Sequence, residues 1–148
     1  FKKRTFPAKE QLSLGDAWAI AQGEYQGRPM VVRIRQGVAE IVGHPEFGHQ
    51  VGVAVPLREP DANGMPEAAE DEALGQIEER LTASLEADRQ CLHVVTLTTG
   101  GMREFVFYSS DPAATHARLN ALAGEVTSHQ IQHVIQTDPK WKVYRQFA

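Results

Sequence analysis

The segment Arg103–Tyr108 (REFVFY) constrains the fold more than any other part of this 148-residue chain. Read as a strand, it puts Phe105 and Phe107 on one face and Val106 and Tyr108 on the other. A strand that is apolar on both sides belongs in the interior of a sheet covered on both faces. Everything else in the sequence must supply a sheet around this strand and a cover for each side.

Partner strands are legible on both sides of it. His49–Leu57 alternates Val51, Val53, Val55 and Leu57 against Gly52 and Ala54. Cys91–Thr99 is rich in β-branched residues, and Gly100-Gly101 joins it to Arg103–Tyr108. A glycine pair beside threonines and an arginine also suits a phosphate cradle. Such a cradle needs a helix directly after it, and here a strand follows. The pair therefore reads as a tight hairpin turn of type I′ or II′, where φ must be positive. A last strand spans Ser128–Thr137, with Gln130, Gln132, Val134 and Gln136 facing away from Ile131, His133 and Ile135. An N-terminal hairpin runs from Trp18–Ala21 through Glu24–Pro29 to Met30–Arg35; its second strand sorts Val31, Arg33 and Arg35 from Met30, Val32 and Ile34.

Two helices fill the remaining gaps. After the turn-rich Pro60–Pro66, the residues Leu74, Ile77, Leu81 and Leu85 recur at helical spacing on a charged rod, with Pro66 suited to its first turn. Ser110 or Asp111 caps the second, Pro112 opens it, and Leu119, Leu122 and Val126 mark its buried side. From His49 onward the order is strand, helix, strand, strand, helix, strand. This predicts an α+β fold with a ferredoxin-like split βαβ core, the His49 and Arg103 strands central, and both helices on one face. The expected organisation is one domain over 1–148: an arm over 1–15, a hairpin extension over 16–48, the core over 49–137, and a C-terminal segment over 138–148. Asp138-Pro139 repeats the cap-and-proline signal before a short helix carrying Trp141, Tyr144 and Phe147. Both faces of the sheet need cover, and the hairpin and the Trp141 segment are the available covers for the face opposite the helices.

Trp18 to Phe147 resembles the bacterial domain-of-unknown-function family 695. Gly27-Arg28-Pro29, His49–Pro56, Thr98–Phe105 with Phe107-Tyr108, and Asp138-Pro139 with Trp141 and Tyr144 carry the likeness. That resemblance implies no activity. A weaker one, of domain pattern, is to the ribonuclease E activity regulator B family, whose small ferredoxin-like members act by binding an enzyme.

The charges narrow the function classes. A net charge of −4 argues against broad nucleic-acid binding. Glu59–Asp88 holds ten acids and one base, a net of −9, and the rest holds nine acids and fourteen bases, a net of +5. The run reads as a solvated helix face, or as a surface for a basic partner. No run approaches the roughly 20 apolar residues of a membrane span, and no apolar stretch follows Phe1-Lys2-Lys3-Arg4 as a secretory leader requires. A single cysteine, Cys91, allows no internal disulfide. A cytoplasmic home is the simplest expectation.

No catalytic constellation, cofactor fingerprint or convincing metal set stands out. His44 and His49 bracket Glu46 in a loop, a conceivable His/Glu/His metal set that reads rather as loop polar residues; His129 and His133 lie about 13 Å apart on a predicted strand, too far for one ion; Cys91 and His93 share a strand face, as a thiol–imidazole dyad would, and Cys91 reads rather as a buried structural cysteine. The binding candidates are Arg33, Arg35, His49, Arg103, Tyr108 and Trp141, with the strand arginines beside Tyr108 as a pocket for a carboxylate or other anion. The favoured expectation is a non-enzymatic module that binds another protein. The alternatives are a small hydrolase with a His/Arg pocket, and a single-stranded nucleic-acid binder on the open sheet face, which needs exposed stacking aromatics.

Overall fold

The computed structural model describes residues 5–148. Six strands, β1 (Trp18–Tyr25), β2 (Arg28–Arg35), β3 (His49–Pro56), β4 (Cys91–Thr99), β5 (Met102–Ser109) and β6 (Gln132–Thr137), form one antiparallel sheet in the order β1-β2-β4-β5-β3-β6. Helices α1 (Ala68–Glu86) and α2 (Pro112–Glu125) connect β3 to β4 and β5 to β6, and α3 (Lys142–Phe147) ends the chain. The fold is α+β, and no described helix is long and apolar enough to cross a membrane.

β5 is central, and its alternation decides the layers. Phe105 and Phe107 enter a core with Val51, Val53 and Val55 of β3, Leu74, Ile77, Leu81 and Leu85 of α1, and Leu119 and Leu122 of α2. Val106 and Tyr108 enter a second core on the other face, with Leu92 and Val95 of β4 and with Trp141 and Tyr144. The helix boundaries follow their chemistry. Asp111 caps α2 by accepting the Ala114 N–H at 3.1 Å. Pro66 lies one residue before the Glu67 cap of α1, not in its first turn, because Glu67 is still extended.

The second core takes Trp141 and Tyr144 as expected and corrects the other cover. The β1–β2 hairpin does not lie over the sheet; it pairs edge-on with β4 and widens it. In place of the hairpin, a 3₁₀ helix at Gln36–Ile41 and the loop after it join Trp141 and Tyr144 in the cover, through Val38, Ile41, Val42 and Phe47. The N-terminal segment also differs from a free arm. Residues 1–4 lie outside the described residues, but Leu12 is buried and the Pro7 carbonyl accepts a bond from His44 Nε2 at 2.7 Å. The last strand is shorter than Ser128–Thr137; it starts at Gln132, and His129 lies before it, paired with Glu70.

Gly100 and Gly101 have φ of 57° and 77°, the pair of positive angles that a type I′ turn requires. The Gly101 N–H donates to the Gly64 carbonyl at 2.8 Å, and the Gly101 carbonyl accepts the Leu57 N–H at 2.9 Å. The Asp61–Gly64 turn therefore sits directly on this hairpin, and its amide is spent on protein rather than on an anion. A Cβ on Gly64 would lie 2.9 Å from Gly101 N.

Two substitutions test this architecture. Leu81 is fully buried on the core-facing side of α1, so Leu81→Ala should cost about 2–5 kcal/mol in urea denaturation; a loss below half of the lower bound would mean that α1 does not pack on the sheet. Gly27 and Gly64 share a φ of 78°, but nothing approaches a Cβ at Gly27. Gly27→Ala should cost about 1 kcal/mol for its backbone alone. Gly64→Ala should cost at least about 1 kcal/mol more, since rigid backbone must move. Equal losses would separate the loop from the turn.

Candidate functional site

The strand arginines face the helices, and each has an acid waiting. Arg33 pairs with Glu78 and Arg35 with Glu86, both at 2.9 Å; Arg103 pairs with Asp71 at 2.9 Å and also donates to Thr98. The acids belong to the acidic run. Five of its ten carboxylates meet a cationic or histidine partner on the chain itself, the others being Glu70 with His129 and Asp88 with Arg118. The Asp88 carboxyl is drawn well below its usual range, first by the Arg118 hydrogen bonds. The charge asymmetry seen in the sequence thus docks α1 onto the basic edge of the sheet. Arg33 also lies over the Trp18 ring at 4.8 Å. His93, beneath this layer, is stacked on Phe107 and bonded to Thr96; burial holds its pKa down at about 3, so it is neutral.

The six binding candidates do not converge. Arg33, Arg35 and Arg103 face α1, whereas Tyr108 and Trp141 lie in the opposite core, so no arginine pocket forms beside Tyr108. His49 stands at the far end of β3, opposite Ser109 and Thr137. Tyr108 and Trp141 stack in parallel with centroids 4.1 Å apart, and both are fully buried. The Tyr108 hydroxyl donates to Asp138 Oδ2 at 2.7 Å, and the same carboxylate accepts the Lys142 and Val143 N–H groups. Burial, then Asp138, pushes the phenol far above its ordinary pKa. Trp141 has left-handed backbone, φ 56° and ψ 45°, and its indole N–H donates to the Phe47 carbonyl at 2.9 Å. These two residues build a cover. They are not exposed for recognition.

That cover reaches only part of the sheet. Beyond it lies a groove of about 450 Å³, lined by Tyr25, Met30, Leu97, Met102, Val143 and Phe147. Glu104 forms one wall, and on its other side a second depression of about 240 Å³ runs over Gly52 and Ala54 to Val134. The register explains the setting. Glu104 of β5 stands between Leu97 of β4 and Ala54 of β3, and Val106, its next neighbour on the same face, stands opposite Gly52. A Cβ on Gly52 would lie 3.1 Å from Glu104 Oε1, so the missing side chain leaves room for the carboxylate.

Glu104 is a half-buried carboxylate with no hydrogen bond or ion pair to any described residue, and burial alone raises its pKa. Its oxygens still reach solvent, since no buried side-chain oxygen among the described residues lacks a partner, and a cation or donor brought there would replace that water. Sequence reasoning placed Glu104 on a strand but did not name it as a site residue. The signal was available: it is the one charge on the Met102–Tyr108 face of the most apolar strand.

His44 and Glu46 are likewise engaged. His44 bonds Pro7, and the Glu46 carboxylate accepts the Lys9 N–H at 3.0 Å. Cys91 is buried against Thr115 with its thiol pKa raised, chiefly by burial, and behaves as core.

Neither a curated protein nor a solved structure matches this sequence. A family model does, over residues 16–148, which take in the whole sheet, all three α-helices and the groove. The chain belongs to the family of unknown function DUF695.

Proposed function

We propose that this chain is a non-enzymatic protein-binding module whose partner lays a segment along the open sheet face. Apolar side chains of that segment occupy the depressions on either side of Glu104, and a Lys or Arg between them pairs with its carboxylate. The observation that carries the reading is the unpaired, half-buried Glu104 inside an apolar groove. A cation delivered there favours the charged form of the carboxylate and removes apolar surface from water in one step. The weaker resemblance to the ribonuclease E activity regulator B family points in the same direction. So does a ferredoxin-like reading of His49–Thr137, supported by the strand order β4-β5-β3-β6 with α1 and α2 packed in one core.

The rival readings have less support. A hydrolase pocket needs Arg33, Arg103 and His49 together, yet both arginines are neutralised by α1 and His49 is remote from them. Single-strand binding needs stacking aromatics, and Phe105 and Tyr108 are fully buried.

Selection from a library of random 12-residue peptides displayed on phage tests the proposal. Peptides selected by the wild-type protein should carry one Lys or Arg flanked by apolar residues, and Glu104→Gln should abolish the preference for the cation. No enrichment, or the same cation preference in the variant, would sink it.

The raised pKa makes a separate prediction. Glu104 favours the protonated form when folded, so its contribution to stability is full below its ordinary value of 4.5 and is lost as pH rises through the raised folded value. Glu104→Gln should therefore melt at the same temperature as wild type near pH 4 and at a higher one at pH 7. A difference independent of pH would show that Glu104 is solvated.

A further inference from the structure

His116 of α2 and His133 of β6 meet outside the groove, on the helix side of the sheet. His116 Nδ1 and His133 Nε2 are 2.8 Å apart, with ring centroids separated by 4.9 Å. Neither residue belongs to a core cluster, and the pair opens onto a broad surface depression of about 600 Å³. From this geometry we infer that His116 and His133 form a chelating site for a divalent transition-metal ion of the zinc class, with its remaining positions open to water or an outside ligand.

Two features support the inference. Two imidazole nitrogens bound tetrahedrally to one zinc stand about 3.3 Å apart, given bonds of about 2.0–2.1 Å. The pair is within about half an ångström of that spacing, and small torsions of two side chains that face solvent close the difference. Second, the Asn120 amide nitrogen lies 3.0 Å from His116 Nε2, one helical turn along α2, and as placed it donates to that nitrogen. A half-turn of that amide lets its oxygen accept the Nε2–H, which fixes the Nδ1 lone pair toward the ion. Outer partners of metal-bound histidines act in this way.

The site has two protein ligands. Among the described residues no three His, Cys, Asp or Glu side chains converge. His49 lines the same depression, but His133 pairs with Val53, four residues along β3 from His49, a distance of about 13 Å. Thiolate is absent, which disfavours soft ions, and imidazole pairs suit zinc, nickel and copper. An ion held here would join an edge strand to the helix that packs beside it.

Calorimetric titration of the intact chain with zinc chloride tests the site. The expected result is one ion per chain, at least 10-fold weaker binding for His116→Ala and for His133→Ala, and unchanged binding for His49→Ala. Ring-nitrogen NMR should show zinc-dependent shifts confined to His116 and His133. Melting without zinc separates a purely structural role, since a mere hydrogen-bonded pair would alter stability in the variants yet leave zinc affinity alone. Zinc affinity within twofold of wild type in either variant, or no uptake by the wild type at millimolar zinc, would overturn the assignment.

Discussion

The two-sided burial of β5 is the constraint on which the rest of the structure depends. Phe105 and Phe107 need one apolar layer, and Val106 and Tyr108 need another, less than a strand's thickness away. The first layer is conventional, two amphipathic helices on an antiparallel sheet. The second is assembled from short, irregular pieces: a 3₁₀ helix, a loop and the Trp141 segment. Such pieces cannot cover a whole sheet face. What they leave bare is the groove, and Glu104 stands in its wall.

The cover is held by polar chemistry as much as by area. Asp138 takes the Tyr108 hydroxyl and two backbone N–H groups of the last helix, so one carboxylate ties the central strand to the chain terminus. Trp141 then stacks on Tyr108 while its indole N–H reaches the Phe47 carbonyl. Every polar atom brought into this layer finds a partner, and no buried side-chain nitrogen or oxygen among the described residues lacks one. Against that background Glu104 is conspicuous as a half-buried carboxylate that meets only solvent.

Much of the layout was legible because strong periodicities carried it. The helical stripe of Leu74, Ile77, Leu81 and Leu85, the alternation of β3, the glycine-pair turn and the Asp111 cap all appear where the sequence predicts them. Three things were not legible, each for a physical reason. The hairpin's placement depends on which sheet edge is free, and alternation within a strand does not encode that. Val94 makes a bulge in β4, which turns Thr96 and Thr98 toward the helices beside His93; one extra residue reverses the parity of all that follow it. The candidate site was sought among arginines because unpaired cations stand out in a sequence. Their acids lie some 40 to 50 residues away on α1, and only folding reveals that Arg33 and Arg35 are already satisfied.

The contact between Gly64 and the Gly100-Gly101 turn bears on how this chain can be rewired. A two-residue turn at a hairpin tip is ordinarily where foreign sequence is spliced in, or where new termini are opened in a circular permutant. Here that turn is clasped by another loop through two backbone hydrogen bonds, with no space for a single added carbon at Gly64. The Gln26-Gly27 tip has the same left-handed conformation but touches nothing at its glycine. Of two turns that look interchangeable on paper, only the outer one is a place to graft a tag, a reporter or another domain.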